Sequence, residues 1–213
     1  MKKIIMMLGL MAGLLTPVQS WHTACAQEAD SEVMAKYKNM NTLAADVTMT
    51  RHNVALAKDQ VSKGKFYFKK PGSMVLTFNG GKDMLLMKDE KFTMVSDGTA
   101  ATASGSNSQL DALKTMFKSF TTGQDSDVQL EDVADVDAER EGDILTMTIT
   151  PRVKDAKEKR KMLYQSYVVS LNTKTGELRS IRLNEKGKNY TQYDFANFKF
   201  DGPVDDKVFA LPK

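Results

Sequence analysis

The stretch Gly64 to Phe78, GKFYFKKPGSMVLTF, decides the fold. Its two halves favour β-strands joined at Lys70-Pro71-Gly72, because proline fixes its φ angle and glycine tolerates unusual backbone angles, as a tight turn requires. Side chains of a strand alternate between two faces, which places Met74, Leu76 and Phe78 together. This apolar face is either part of an ordinary core or one side of a site that holds an apolar ligand.

Further strand patterns lie on both sides of this hairpin, separated by turn sequences such as Asn79-Gly80-Gly81. Strands that are close in sequence and tightly joined favour an antiparallel meander. The chain shows about ten strand patterns and two helical ones, which predicts a mainly β fold with α-helices. The small, polar residues 97–108 predict a loop, and the acid-rich residues 125–141 predict an exposed edge strand and loop.

Two segments are predicted to be helical. The first runs from Asp30 or Ser31, either of which can cap a helix, to about Met40. The second is Gln109–Thr121, and a helix inside a chain of strands has to lie against the sheet or over it. Its apolar residues fall at helical spacing on one face: Leu110, Leu113, Met116, Phe117 and Phe120.

The first 26 residues are typical of a signal peptide. Two lysines precede the apolar run Ile4 to Leu15, which is too short to span a bilayer. The small residues of Ala24-Cys25-Ala26 predict cleavage before Gln27, which leaves one domain, 27–213. In a rival interpretation Cys25 is the acylated cysteine of a lipoprotein, although that signal prefers a leucine-like residue where His22 stands.

The residue inventory after cleavage argues against catalysis. His52 is then the single histidine, and no cysteine remains, so neither a paired-histidine metal site nor a cysteine nucleophile can be built. No serine lies in a GxSxG context, no glycine-rich phosphate loop precedes a helix, and the acid-rich stretch lacks the EF-hand order. We therefore expect no enzymatic activity, metal or cofactor, and His52 is expected at the surface or in a turn.

The distribution of charge bears on two kinds of partner, nucleic acids and anionic or acidic surfaces. Removing Lys2 and Lys3 leaves 28 basic and 27 acidic side chains, a balance that gives no support for nucleic-acid binding. The connection Arg152–Lys161 is locally basic, with six basic residues around Asp155 and Glu158. It is either a contact to anionic lipid or an acidic partner, or a loop that keeps the protein in solution, and the sequence alone favours the loop.

The linear order of these features resembles the periplasmic outer-membrane lipoprotein carrier family, the LolA-like proteins. Gly64-x-Phe-Tyr-Phe-Lys-Lys-Pro71 is similar to the family's Gly-x-Leu-x-x-Lys-Arg-Pro, and it follows a similar strand at Leu43 to Thr50. Ile149-Thr-Pro151, Asn172 to Leu178 and the tail through Phe209-x-Leu-Pro212 are similar to the family's closing hairpins and C-terminus. The resemblance extends through most of the chain after the signal segment.

The resemblance implies an incomplete antiparallel β-barrel, a curved sheet, closed by an α-helical lid. Its cavity would shelter the acyl chains of a lipoprotein or related lipid in the periplasm, between an inner-membrane donor and an outer-membrane acceptor. Such a carrier would act as a monomer without a cofactor. The alternative, from another class, is a non-catalytic β-domain with a filled core that acts through a protein partner.

The resemblance also assigns roles to residues. Lys70 replaces the family's arginine before proline and is expected to hold the lid. Phe195 and Phe198 are included in the cavity although they cannot share one face of a regular strand. The full set expected to line the cavity is Met74, Leu76, Phe78, Leu85, Met94, Leu113, Met116, Phe117, Phe120, Phe195 and Phe198.

Overall fold

The computed structural model describes residue 37 and residues 39–88, 91–97, 99–103, 115 and 130–211. The predicted signal segment, residues 30–36 of the first predicted helix and the whole second predicted helix except Thr115 lie outside the described residues. Tyr37 and Asn39 are helical, as the first of these predictions requires. Among the described residues, no helix is both long enough and apolar enough to cross a membrane.

One antiparallel sheet of eleven strands dominates the structure, in the order β6-β5-β4-β3-β2-β1-β11-β10-β9-β8-β7. Two short helices, α1 (Leu130–Val133) and α2 (Ala156–Lys161), precede β7 and β9. The strands are β1 (Thr42–His52), β2 (Gln60–Lys69), β3 (Ser73–Phe78), β4 (Asp83–Lys88), β5 (Lys91–Ser96), β6 (Thr99–Ala103), β7 (Ala134–Glu141), β8 (Ile144–Pro151), β9 (Tyr164–Asn172), β10 (Glu177–Glu185) and β11 (Tyr190–Phe200).

The sheet is curved and does not close. Its edges, β6 and β7, each pair with one neighbour, and β1 pairs with both β2 and β11, so the first and last strands lie side by side in the middle of the sheet. A mainly β, unclosed antiparallel sheet was predicted, and it is confirmed. The β2–β3 hairpin is also confirmed, with Gly64 opposite Phe78 and Lys69 opposite Ser73.

Two segments differ from the predictions of the sequence. Thr99–Ala103 was predicted as part of a loop but forms the edge strand β6, since an edge strand needs hydrogen bonds on one side and little side-chain burial. Within the predicted charged connection, Ala156–Lys161 forms α2, because the Asp155 carboxylate accepts hydrogen bonds from the backbone N–H groups of Lys157 and Glu158. The acid-rich edge strand was predicted correctly and is β7.

The concave face carries the main core, which draws on both halves of the sheet. Direct cross-strand pairs share a face, and Phe66, Leu76 and Leu85 form such a row through β2, β3 and β4. From the other half, Tyr167 and Val169 are completely buried in the same core. Burial of these side chains on one face is what fixes the register of each strand.

A smaller apolar cluster covers the convex face of β3 and β4. Val75 and Leu86 face outward there and are buried by Phe209 from the C-terminal tail. Lys69 donates a 2.6 Å hydrogen bond to the Asp206 carboxylate and ties the tail to the end of β2. The tail therefore explains why β3 is apolar on both faces.

Three register shifts bend the C-terminal half of the sheet. An extra residue is present in β9 at Gln165, in β10 at Arg179 and in β11 around Asn197. Asn197 has a positive φ of 56°, a conformation that asparagine tolerates, and its side chain donates to Asp46 at 2.7 Å. Each extra residue lets two apolar side chains that are three positions apart face the same side.

Candidate functional site

An apolar cavity lies on the concave face between the two halves of the sheet. Its volume is about 30 Å³, a fifth of the roughly 150 Å³ of an engineered protein cavity that holds one benzene molecule. Side chains of β2, β3 and β4 approach those of β10 and β11 around it. The described residues that line it are Phe66, Met74, Leu76, Leu85, Leu178, Ile181, Leu183, Tyr193 and Phe195.

Gly64 allows an aromatic pair to form beside this cavity. A Cβ atom at Gly64 would lie 2.0 Å from the backbone oxygen of Thr77 and 2.6 Å from the Phe78 ring. Because glycine has no Cβ, the Phe78 ring can lie across β2, and its centroid is 6.1 Å from that of Tyr193 on β11. The glycine of the opening stretch thus connects β3 to the opposite half of the site.

The bulges of β10 and β11 supply the other side of the cavity. The extra residue Arg179 leaves Leu178 facing the same way as Ile181, and both line the cavity. The buried Tyr37 hydroxyl accepts a 2.9 Å hydrogen bond from the Leu178 N–H, so the helical residue Tyr37 is fixed to this bulge. Burial is the main cause that raises the pKa of Tyr37 well above its usual range.

Polar side chains lie beside the cavity, whose own surface is apolar. Tyr193 lines it, and Tyr164 packs against the same core. Burial raises the pKa of both phenols; the charge of Arg51 opposes this rise and that of Glu185 adds to it. Arg51 is exposed, and the alternation of β1 places it on the concave face with Met49. A cation and two phenols therefore lie near one another beside the apolar lining.

The structure brings four of the eleven predicted cavity residues into the lining: Met74, Leu76, Leu85 and Phe195. Phe78 is buried next to it, and Phe198 packs against the core with its ring stacked on Phe200 at 6.0 Å. In a regular strand Phe195 and Phe198 would face opposite sides, but the bulge around Asn197 lets both face the same side. Their role in ligand binding stays a prediction.

Two further predicted residues that the structure describes, Met94 and Lys70, do not line the cavity. Met94 is opposite Leu85 but is 59% exposed and does not line the cavity. Lys70 is half-buried in the β2–β3 turn, where its backbone N–H donates to the Asn41 carbonyl at 2.9 Å. The four predicted residues that lie outside the described part of the chain are Leu113, Met116, Phe117 and Phe120.

Five lining residues were not among the predicted ones. Phe66 lies in the Gly64–Phe78 stretch. Its pairing with Leu76 places it on the same face as the predicted residues once the hairpin register is known. The apolar residues of β10, Leu178, Ile181 and Leu183, alternate imperfectly in the sequence. The extra residue Arg179 interrupts the alternation between Leu178 and Ile181. Those not predicted are Phe66, Leu178, Ile181, Leu183 and Tyr193.

His52 lies on the convex face, away from the cavity. Its Nδ1 is 2.8 Å from the Asp59 carboxylate, and its ring stacks on Tyr190 with centroids 4.9 Å apart. The Arg182 guanidinium lies 4.3 Å from the centroid of the Tyr190 ring. No group of three or more metal-ligating side chains occurs within the described ranges.

The sequence matches the family model described as outer membrane lipoprotein carrier protein LolA, over residues 38–212. The chain belongs to the LolA family. The match covers all eleven strands and every residue that lines the cavity. The resemblance inferred from the order of sequence features is thereby confirmed. No protein with a curated description matches the sequence.

Solved structures that resemble this LolA-family chain are distant in sequence. A DUF1329 family protein from Desulfovibrio piger is 13% identical, with a TM-score of 0.45 over 88% of this chain and 96% of the other. A LolA superfamily protein from Nitrosomonas europaea is 11% identical, with a TM-score of 0.42 over 87% and 97%. The MucA/MucB complex of Pseudomonas aeruginosa gives 14% identity and a TM-score of 0.46 over 86% and 61%. The family assignment rests on the family model.

Proposed function

We propose that this protein is an exported carrier that shelters the acyl chains of lipoproteins, or of related lipids, on the concave face of its sheet. The observation that carries the proposal is the cavity that both halves of the sheet line with apolar side chains in a member of the LolA family. Cleavage of the predicted signal segment 1–26 would release the carrier into the periplasm. There it would take cargo from an inner-membrane donor and deliver it to an outer-membrane acceptor.

Loading requires side chains to move, because the cavity is smaller than one that holds a single benzene molecule. Met74, Leu76 and Leu85 are suited to this, since unbranched and γ-branched aliphatic side chains change rotamer readily and methionine adapts to irregular shapes. Burial of acyl chains would contribute about 0.8 kcal/mol for each CH₂ group. Part of that gain offsets the loss of contacts among the displaced side chains, which keeps release to an acceptor feasible.

The polar side chains beside the cavity would give the cargo a direction. Acyl chains would lie among the leucine and phenylalanine side chains, and the ester or amide groups that join them to the rest of the molecule would lie near Tyr164 and Tyr193. Phenol hydroxyls can donate to such carbonyl oxygens, and Arg51 can do the same or pair with a phosphate. Removing the hydroxyl with Tyr193→Phe should therefore weaken binding of an acylated peptide more than that of a plain alkane.

The predicted helix Gln109–Thr121 is the proposed lid. Thr115, which the structure describes, is helical and buried. Phe117→Glu should reduce acyl-chain binding by placing a charge on the predicted apolar face, whereas Lys118→Glu, on the opposite face, should not. If Lys70 holds the lid, Lys70→Ala should change the rate of cargo release more than the free energy of unfolding.

Displacement of a fluorescent fatty acid by a synthetic lipopeptide tests the carrier function, and the chain offers a matched pair of variants. Leu85 and Met84 are neighbours on β4 and both partly buried, but Leu85 lines the cavity and Met84 packs in the convex cluster. Leu85→Glu should weaken binding at least tenfold, while Met84→Glu should bind as the wild type does. Absence of displacement in the wild type, or equal losses in both variants, would reject the carrier function in favour of the protein-partner alternative.

A further inference from the structure

Three connections meet at one end of the sheet, beyond Arg51, and together form a surface that we call the basic rim. They are residues 53–61, from the β1–β2 connection into the start of β2; residues 152–163, which include α2; and residues 185–189, from the last residue of β10 to the start of β11. The Val54 N–H donates to the Asn189 side chain at 2.9 Å, and Lys186 Nζ donates to the Arg160 carbonyl at 2.5 Å. These bonds join the three connections into one surface.

The basic rim concentrates the positive charge of the protein. Its three segments hold nine basic and four acidic side chains, a net charge of +5, whereas the entire chain has a net charge of +3. The rest of the chain is therefore net negative. Two of the four carboxylates, Asp155 and Glu158, accept hydrogen bonds from backbone N–H groups of the same segment, at 2.8 Å each. Four exposed cations, Lys157, Lys159, Arg160 and Lys161, project from α2.

The same surface also exposes aliphatic side chains. Six large hydrophobic residues are exposed in the described part of the chain, and four of them lie in the basic rim. Exposed hydrophobic side chains are therefore concentrated at this end of the sheet. The remaining two, Met94 and Leu211, are outside it. The four in the rim are Val54 (58% exposed), Leu56 (46%), Val61 (60%) and Leu163 (70%).

We propose that the basic rim docks the protein onto the surface of an anionic lipid bilayer. Lysine and arginine are attracted to anionic headgroups, and exposed aliphatic side chains between them can enter the boundary between headgroups and acyl chains. A single-stranded nucleic acid would call for aromatic stacking platforms, and the three segments contain no aromatic residue. The solubilising-loop interpretation of Arg152–Lys161 does not account for the exposed leucine and valine side chains beside it.

Docking in this orientation would place Arg51 and the two tyrosines beside the cavity, Tyr164 and Tyr193, toward the membrane. Arg51 and His52 end β1, and the rim begins at the next residue. Glu185, which acts on the pKa of both Tyr164 and Tyr193, lies in the third segment of the rim. The inference rests on the surface alone, so vesicle binding and acyl-chain binding can succeed or fail independently.

Co-sedimentation of the protein with lipid vesicles tests the proposal. The wild type should bind vesicles that contain phosphatidylglycerol, should bind pure phosphatidylcholine vesicles far less, and should lose binding as salt is raised, because salt screens charges at the surface. Replacing Lys157, Lys159, Arg160 and Lys161 by glutamine should reduce the partition coefficient about tenfold or more. The control with the same change of charge replaces exposed lysines outside the rim: Lys88, Lys91, Lys174 and Lys207.

The aliphatic side chains are tested separately. The double variant Val54→Ser, Leu163→Ser should reduce binding severalfold at unchanged charge, and Leu211→Ser, an exposed leucine outside the rim, should not. Equal losses in the rim and control variants would overturn the proposal. So would equal binding to neutral and anionic vesicles, or rim-dependent binding to an acidic protein without binding to vesicles. Displacement of the fluorescent fatty acid, measured on the same variants, reports on the cavity independently.

Discussion

The N-terminal half of the sheet, β1 to β6, and the strands β9 to β11 of the C-terminal half bring apolar side chains to the same concave face in different ways. Every pair of neighbouring strands from β1 to β6 keeps a constant register. In β9, β10 and β11 the register shifts three times, once in each strand. Regular alternation supplies the β3 side of the cavity, and bulges supply the opposite side.

The bulges explain the spacing of the apolar residues in the C-terminal half. In a regular strand, residues three apart face opposite sides, yet each of these strands places such a pair on the concave face. One extra residue between the two members of a pair reconciles the spacing with the burial, and it increases the local twist of the strand. The pairs are Tyr164 with Tyr167, Leu178 with Ile181, and Phe195 with Phe198.

The largest effect is expected where the regular half is most tightly packed. Gly64→Ala would bring a Cβ atom to 2.0 Å from the backbone oxygen of Thr77, which cannot move without disturbing the β2–β3 ladder. Chemical denaturation should show a loss of at least about 3 kcal/mol in the free energy of unfolding. Gly72→Ala in the turn of the same hairpin, where no atom lies within 4 Å of the new Cβ, is the control. Similar stabilities for the two variants would contradict the close approach at Gly64.

The second prediction distinguishes a bulged β10 from a regular one. Leu178 is buried and Arg179 is exposed, whereas regular alternation from Ile181 would bury Arg179 instead. Leu178→Ala should therefore cost about 2–3 kcal/mol, and Arg179→Ala should stay within about 0.5 kcal/mol of the wild type. Urea denaturation of both variants measures the difference. A larger loss for Arg179→Ala would mean that β10 is regular in solution.

A smaller effect is expected at the hydrogen bond that fixes Tyr37 to this bulge. Tyr37→Phe removes the acceptor for the buried Leu178 N–H and should destabilise the protein by about 1–2 kcal/mol. Amide hydrogen exchange should accelerate at Leu178 in this variant and remain unchanged in the β2–β3 hairpin. Uniform acceleration throughout the sheet would show that the bond is not specific to the bulge.

The smallest effect concerns the anchor of the bulge in β11. Hydrogen bonds from Lys65 and then from Asn197 hold the pKa of the exposed Asp46 carboxyl below its usual range. Because the folded-state pKa lies below the unfolded one, this contribution is complete above about pH 4 and disappears as the pH falls through the folded-state value. Asp46→Asn should be less stable than the wild type at pH 7, and their urea midpoints should converge in acid. A constant difference at all pH values would contradict this linkage.

These differences also show how far the sequence could predict the structure. Met74, Leu76 and Leu85 of the cavity were predictable because alternation and tight turns determine their face and register. Phe66 follows from the same register. The β10 side was not predictable, because alternation alone does not show where an extra residue enters a strand. β6 was missed because alanine and threonine at a sheet edge resemble a small, polar loop.

The rim and the cavity illustrate the same limit for function. Each segment of the basic rim is an ordinary polar connection in the sequence, and only the contacts of Val54 and Lys186 show that the three lie side by side. The apolar character of β3, by contrast, is evident from the sequence. The sequence does not reveal that the two faces of β3 belong to different hydrophobic clusters. Val75 and Leu86 belong to the tail-covered convex side.

The most direct measurement of the central claim is photo-crosslinking with a long-chain fatty acid that carries a photoreactive group in its alkyl chain. After irradiation and proteolysis, mass spectrometry identifies the labelled residues. Labels should fall on Leu76, Ile181 and Tyr193, from both sides of the concave cavity, and a lipopeptide should compete with them. Labels confined to Val75, Leu86 and Phe209 of the convex cluster, or labelling that no lipopeptide displaces, would contradict the account.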